Sequence, residues 1–267
     1  MADLIEVTGA EGPVAEVRLA RPDKKNAVTL EMLDALTAAG EALAGAPGLR
    51  AVVLTGTGGD FCAGIDTGTL MAMAGRLDAL KAEVLDLPEG EIANRFQKPA
   101  KVWRDLPVPV IAAIEGVCFG AGMQIALGCD FRIAAPGARL SIMEARWGLI
   151  PDMGLSLSLP RLMPMDRALE LILTARVLSG TEAAAAGLVT RVADDPLAAA
   201  RALADEIAGQ SPDAVRAGKA LVAAVWGDAT AAEGLKLEAV LQARIMGAPN
   251  QVETVMARMG QRAPVYR

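Results

Sequence analysis

The sequence predicts an α/β fold: a body of alternating strands and helices to about residue 195, then a helical region. Three observations carry this. Two short apolar runs, RAVVLTG at 50–56 and VPVIAAIEG at 108–116, have the length and composition of buried strands. Glycine-rich turns follow them, in TGTGGDFCAGID at 55–66 and GVCFGAGMQIALGCD at 116–130. From about residue 197 onward the apolar spacing is helical.

The elements follow in chain order. Residues 3–8 and 14–19 alternate as strands. RPDKKNA, Arg21 to Ala27, is a polar loop punctuated by Pro22. Thr29 is placed to N-cap a helix that carries Leu30, Leu33, Leu36 and Leu43 near helical spacing. Residues 67–105 are mixed in pattern, and mobile helices that cover a site are expected there. Strands are expected again over 131–135 and 138–143. Ser179 and Glu182 have the spacing of a capping box, with Gly187 as the helix stop and the strand-like LVTRV after it. Ser211 is the expected N-cap of the next helix, with Pro212 at its first position, and 231–246 is a further helix. The division expected is a core over 1–195 and a C-terminal helical region over 196–267.

Composition excludes several function classes. Of the 267 residues, 53% are hydrophobic, enough for a large core, and the net charge is −6, which argues against a general nucleic-acid binder. The N-terminus shows no basic and apolar secretory pattern. The run from Val108 to Cys129 is long enough to span a bilayer, but Glu115 and Gln124 lie inside it, so a buried core and no membrane association is expected. Cys62, Cys118 and Cys129 lack CxxC spacing and read as reduced core thiols of a cytoplasmic protein. There is no histidine. That removes Ser-His-Asp and Cys-His catalysis and the HExxH metal site, and no metal site is expected. Proton transfer then falls to carboxylates, Lys, Cys, Tyr266 or water.

The turn at 116–130 raises the central question of which charge it holds. As a dinucleotide fingerprint it fails at its third glycine, where Ile125 stands. A packing turn without a ligand is a second reading. The third joins it to FCAGID at 61–66: two strand-to-turn junctions whose N–H groups converge form an oxyanion hole.

These two turns, with SIMEARWGLIPDMG at 141–154, resemble the crotonase superfamily, the enoyl-CoA hydratase/isomerase group, and the likeness runs from Arg21 to Val192. The resemblance implies a spiral of ββα units, a C-terminal region that drives trimer or hexamer formation, and an acyl-CoA substrate with no separate cofactor. It implies Ile65 and Ala121 as the backbone donors to a thioester oxygen, although both side chains also suit a core. Lys24, Lys25, Ala27, Ala63, Gly64 and Asp66 match positions around the coenzyme A moiety; the two lysines equally suit a solvated loop.

Hydratases of the family carry two glutamates. Here the first position is Gln124, and the second, twenty residues on, is Glu144. An amide orients water but does not exchange a proton as a carboxylate does. Glu144 is therefore the acid/base the resemblance implies, with its pKa raised by apolar neighbours such as Met143 and Trp147; an ion pair with an arginine is the alternative. Asp152, eight residues further, resembles the second acid of dienoyl-CoA isomerases and equally suits a turn after Pro151. One acid/base at 144 favours moving a double bond over adding water. Hydration with water oriented by Gln124, and acyl-CoA binding without catalysis, remain as alternatives; an RNA-associated role is disfavoured by the negative charge.

Overall fold

A computed structural model describes residues 4–227 and 229–267. Strand β1 (Ile5–Thr8) pairs antiparallel with β2 (Val14–Leu19); residue 3 of the strand expected over 3–8 lies outside the described residues. Helix α1 (Leu30–Ala44) begins where expected, with the Thr29 side chain accepting from Met32 N–H at 3.3 Å. Next come β3 (Ala51–Gly56) and three helices in the segment of mixed pattern, α2 (Thr67–Ala74), α3 (Leu77–Leu85) and α4 (Lys98–Asp105). The two glycine-rich junctions frame β4 (Val110–Ile114), β5 (Val117–Phe119) and α5 (Ala121–Gly128). Then follow β6 (Phe131–Ala134), β7 (Arg139–Ser141), α6 (Leu155–Ser158), α7 (Met165–Thr174), β8 (Leu178–Ser179), α8 (Gly180–Ala186) and β9 (Arg191–Val192). Four helices end the chain: α9 (Pro196–Ala208), α10 (Pro212–Val225), α11 (Ala231–Ile245) and α12 (Pro249–Met259).

The chain winds so that successive turns feed two sheets. The larger has the order β1-β2-β3-β4-β6-β9 and is parallel from β2 onward; the smaller has the order β5-β7-β8. The pairs β4–β5 and β6–β7 each give one strand to each sheet. This is the spiral of ββα units that the resemblance implies. Strand alternation sets the layers. Ala51, Val53, Ile111 and Ala113 face α9, where Ala200 and Ala204 meet them. Val52, Leu54, Val110, Ala112 and Ile114 point the other way, into the main core with Met32 and Leu36 of α1. Strands buried on both faces carry apolar residues throughout, which is why both runs were legible. The helical region thus begins with a helix packed on the body.

Some boundaries differ from expectation. The strand expected at 188–192 is only Arg191–Val192, because the Leu188 and Val189 amides turn back onto Ala183 O to close α8. The expected capping box of Ser179 and Glu182 is present. Ser211 stands at the N-cap of α10 but makes no capping bond, and its buried Oγ has no partner among the described residues. Helices α6 and α7 had no expectation attached to them. All three cysteines are free and buried, and burial pushes the Cys62 and Cys129 thiols up to about 12. Among the described residues no helix is long and apolar enough to cross a membrane.

Candidate active site

The two glycine turns meet at the bottom of a cavity of about 710 Å³. Cys62 N–H donates to Val117 O, and Phe119 N–H donates back to Cys62 O, which zips the 61–65 turn onto β5. Glycine makes the approach possible at two points. A Cβ on Gly122 would lie 2.5 Å from Cys62 Cβ, and one on Gly64, whose φ is +94°, would lie 3.0 Å from Phe119 O and 3.8 Å from Ala121 N. The residue before the first expected donor therefore abuts the second. Ala121 opens α5, so its N–H has no intrahelical acceptor. Ile65 sits in a bridge to Val28 that uses the flanking Gly64 O and Asp66 N–H and leaves its own amide out. Neither N–H donates a hydrogen bond among the described residues, and both residues line the cavity.

Glu144 opens a single helical turn after β7, is 9% exposed and lines the same cavity. Its Oε1 accepts from Gln124 Nε2 at 2.7 Å, and its buried Oε2 has no partner among the described residues. Gln124 Oε1 in turn accepts from Met153 N–H at 2.7 Å. No arginine pairs with Glu144 among the described residues. Burial pushes its carboxyl above the usual range, the hydrogen bond from Gln124 pulls the other way, and the charge of Asp152 adds to the rise. Asp152 also faces the cavity, and burial raises its pKa too. Two carboxyls that bind protons more tightly than usual thus share one apolar cleft, an arrangement suited to proton exchange near a substrate.

The remaining expected residues divide. Lys24, Ala27, Ala63, Gly64 and Asp66 line the cavity. Lys25 does not: its side chain pairs with Asp60 at 3.2 Å, and its contribution is a backbone carbonyl that accepts from Ala63 N–H. Lys25 and Asn26 both have left-handed φ, and this bend aims the Lys25 side chain at Asp60 while Lys24 stays with the cavity. Asp66 caps α2 through Thr69 N–H, which with Arg21 at 3.3 Å holds its carboxyl low.

Sequence reasoning did not single out Arg21, which lines the cavity, braces Asp66 and donates to Ala27 O. Its place at the head of the polar loop was the available signal. From 67–105, Thr67, Gly68, Leu70, Met73 and Phe96 reach the cavity. Arg95 ties this segment to α1 through Asp34 at 2.6 Å and to α3 through Glu83 at 3.2 Å. Among the described residues no group of three or more Cys, Asp or Glu side chains is placed to hold a metal ion.

The chain is similar to known proteins along almost its whole length. The family model described as enoyl-CoA hydratase/isomerase matches residues 9–266. The chain is 32% identical over 250 residues to the mitochondrial methylglutaconyl-CoA hydratase of Mus musculus, covering 91% of this chain and 76% of that one. It is 36% identical over 230 residues to the mitochondrial Delta(3,5)-Delta(2,4)-dienoyl-CoA isomerase of Rattus norvegicus, covering 80% and 67%. The crystal structure of an enoyl-CoA hydratase from Polaromonas sp. JS666 superposes with a TM-score of 0.87 at 32% identity, covering 98% of this chain and 99% of that one. A likeness that runs almost end to end, to hydratases and isomerases alike, makes this chain an enzyme of the enoyl-CoA hydratase/isomerase family.

Proposed function

We propose that the enzyme moves the double bond of an unsaturated acyl-CoA thioester, with Glu144 as the acid/base. In this reading the thioester oxygen accepts from Ile65 N–H and Ala121 N–H. Glu144 Oε2 removes a proton from the carbon next to the thioester. The released electron pair moves through that carbon onto the oxygen, and the two amides stabilise the resulting enolate. Return of the proton at the far end of the allylic system collapses the enolate and leaves the double bond shifted. Asp152 is the second carboxyl, placed to serve the far carbon of a longer conjugated system. Lys24 and the backbone near Ala27, Ala63, Gly64 and Asp66 would take the coenzyme A moiety. No step calls on a metal or redox cofactor. A homotrimer or homohexamer completes the proposal, supported by the exposed Leu235, Met246, Met256 and Met259 of the C-terminal helices and their flanks.

The observation that carries the preference for isomerisation is the state of Gln124. Its oxygen already accepts from Met153 and its nitrogen already donates to Glu144. Hydration needs a second group to activate or deliver water, and an engaged amide is a poor one. The test is product analysis with 2-enoyl-, 3-enoyl- and dienoyl-CoA esters in deuterium oxide. The expected result is a positional isomer, with deuterium at the reprotonated carbon only to the extent that the Glu144 carboxyl exchanges with solvent before returning its proton. Fast formation of 3-hydroxyacyl-CoA would make the enzyme a hydratase. Glu144→Gln is expected to lower kcat by about 10²-fold or more, the usual scale for a lost acid/base; full activity in that variant would remove Glu144 from the role.

A further inference from the structure

Gln124 does more than occupy the place of an acid, and what it does builds on the reading of Glu144 above. Its amide has one possible orientation. Met153 N–H can only donate, so the Gln124 oxygen must face it, and the nitrogen must face Glu144. An N–H donated to Glu144 Oε1 keeps that oxygen an acceptor and leaves Oε2 as the one free to exchange a proton. The other end of the amide grips the backbone beside Asp152. That backbone lies between Gly148 and Gly154, both with left-handed φ, at 70° and 84°. Among the described residues, the bond to Gln124 is the only hydrogen bond tying the Ile150–Met153 main chain to another element.

We infer that Gln124 is a positioning residue that fastens both Glu144 and the segment bearing Asp152 to α5, so that one oxygen of Glu144 and the Asp152 carboxyl hold a set spacing across the cavity. Gln124 is buried at the N-terminal half of α5, directly behind the Ala121 amide, and the helix start is wedged against Cys62 through Gly122. The same rigid element therefore carries an oxyanion donor and the clamp for two carboxyls.

The test compares Gln124→Met, which keeps the volume and removes both bonds, with Gln124→Glu, which keeps an acceptor for Met153 N–H and removes the neutral donor to Glu144. Both are assayed on whichever CoA ester the wild-type enzyme turns over. For Gln124→Met the expected result is a kcat lower by about tenfold or more with KM within about twofold, the pattern of an interaction needed in the transition state. The acid limb of kcat/KM should move to higher pH, because a hydrogen bond to the ionised carboxylate favours that form and its loss disfavours it. Combined with Asp152→Asn, Gln124→Met should cost less than it does alone, since one of the two groups it positions is already gone.

Gln124→Glu, which serves if the methionine variant does not fold, should also move the acid limb upward, because two facing carboxyls would share one proton. A wild-type kcat with an unmoved acid limb in a folded variant overturns the inference. Strict additivity with Asp152→Asn overturns the part concerning Asp152. The underlying reading fails separately, through full activity of Glu144→Gln.

Discussion

Glu144 is buried, Asp152 lines the same cavity from a solvent-exposed position, and both have raised pKa values because desolvation by the surrounding protein disfavours their charged forms. The sign of the consequence for stability follows from linkage. An acid whose folded-state pKa lies above its unfolded value binds its proton more tightly when folded. Its contribution to stability is full below the unfolded value and is lost as pH rises through the folded value. At neutral pH the charged Asp152 therefore costs stability. Asp152→Asn is expected to unfold at a higher temperature than the wild-type protein around neutral pH, with the gain shrinking toward pH 4, near the ordinary Asp range. Thermal melts across that window check it; a neutral-pH melting temperature at or below wild type would contradict the burial argument. Of these groups, Glu144 was legible because spacing within a motif survives in a linear chain. The bond from Gln124 to Met153 was not, since nothing in the order of residues says which backbone amide a glutamine twenty-nine positions earlier will meet.

The elements show the same division. Thr29 and Ser179 declared their helices because a cap is a local bond between residues three apart. Ser211 has the right type in the right place and still makes no cap; its buried hydroxyl has no hydrogen-bond partner among the described residues. Helices α6 and α7 were missed because the stretch between Glu144 and Leu178 is broken by prolines 151, 160 and 164 and shows no sustained period.

How α10 attaches to the body was also invisible in the sequence. Lys219 Nζ reaches Asp130 at 2.6 Å and Val108 O at 2.9 Å, and Asp130 also accepts from Val110 N–H at 2.8 Å. Burial raises the Asp130 pKa even with Lys219 opposing it. Removing one partner of such a pair leaves a desolvated charge behind. Lys219→Met is expected to destabilise the protein by about 3 kcal/mol, the low end for a buried pair because Asp130 keeps some exposure. Urea unfolding would measure it, and a loss below about 1 kcal/mol would mean the strut is not what holds α10 down.

For the molecule as a whole, the spiral buries Ala121, Gln124 and Glu144 together in the body, while α10 packs on α11 and α12 and α9 packs on the large sheet. Large apolar side chains on the outward faces of those last helices are numerous; Met259 is 79% exposed and Leu235 66%. Apolar surface of that kind is expected to be covered by further copies of the chain. Light scattering on a size-exclusion column should return the mass of a trimer or hexamer at micromolar concentration. A monomer would leave the exposed face unexplained and remove the oligomer from the proposal.

Strand-forming runs, helix caps, the two glycine turns and the absence of histidine were readable from the residues alone, because each depends on chemistry within a few positions of the chain. From them came the α/β class and the idea of two converging backbone turns; the resemblance to a known family then implied Ile65 and Ala121 as the donors and Glu144 as the acid/base. Three-dimensional packing decided the rest: that Lys25 turns to Asp60, that Arg21 reaches the cavity, and that Gln124 joins Glu144 to the segment carrying Asp152. Those outcomes depend on which distant groups burial brings within hydrogen-bonding range. That distance is a property of the folded core and has no counterpart in the linear order.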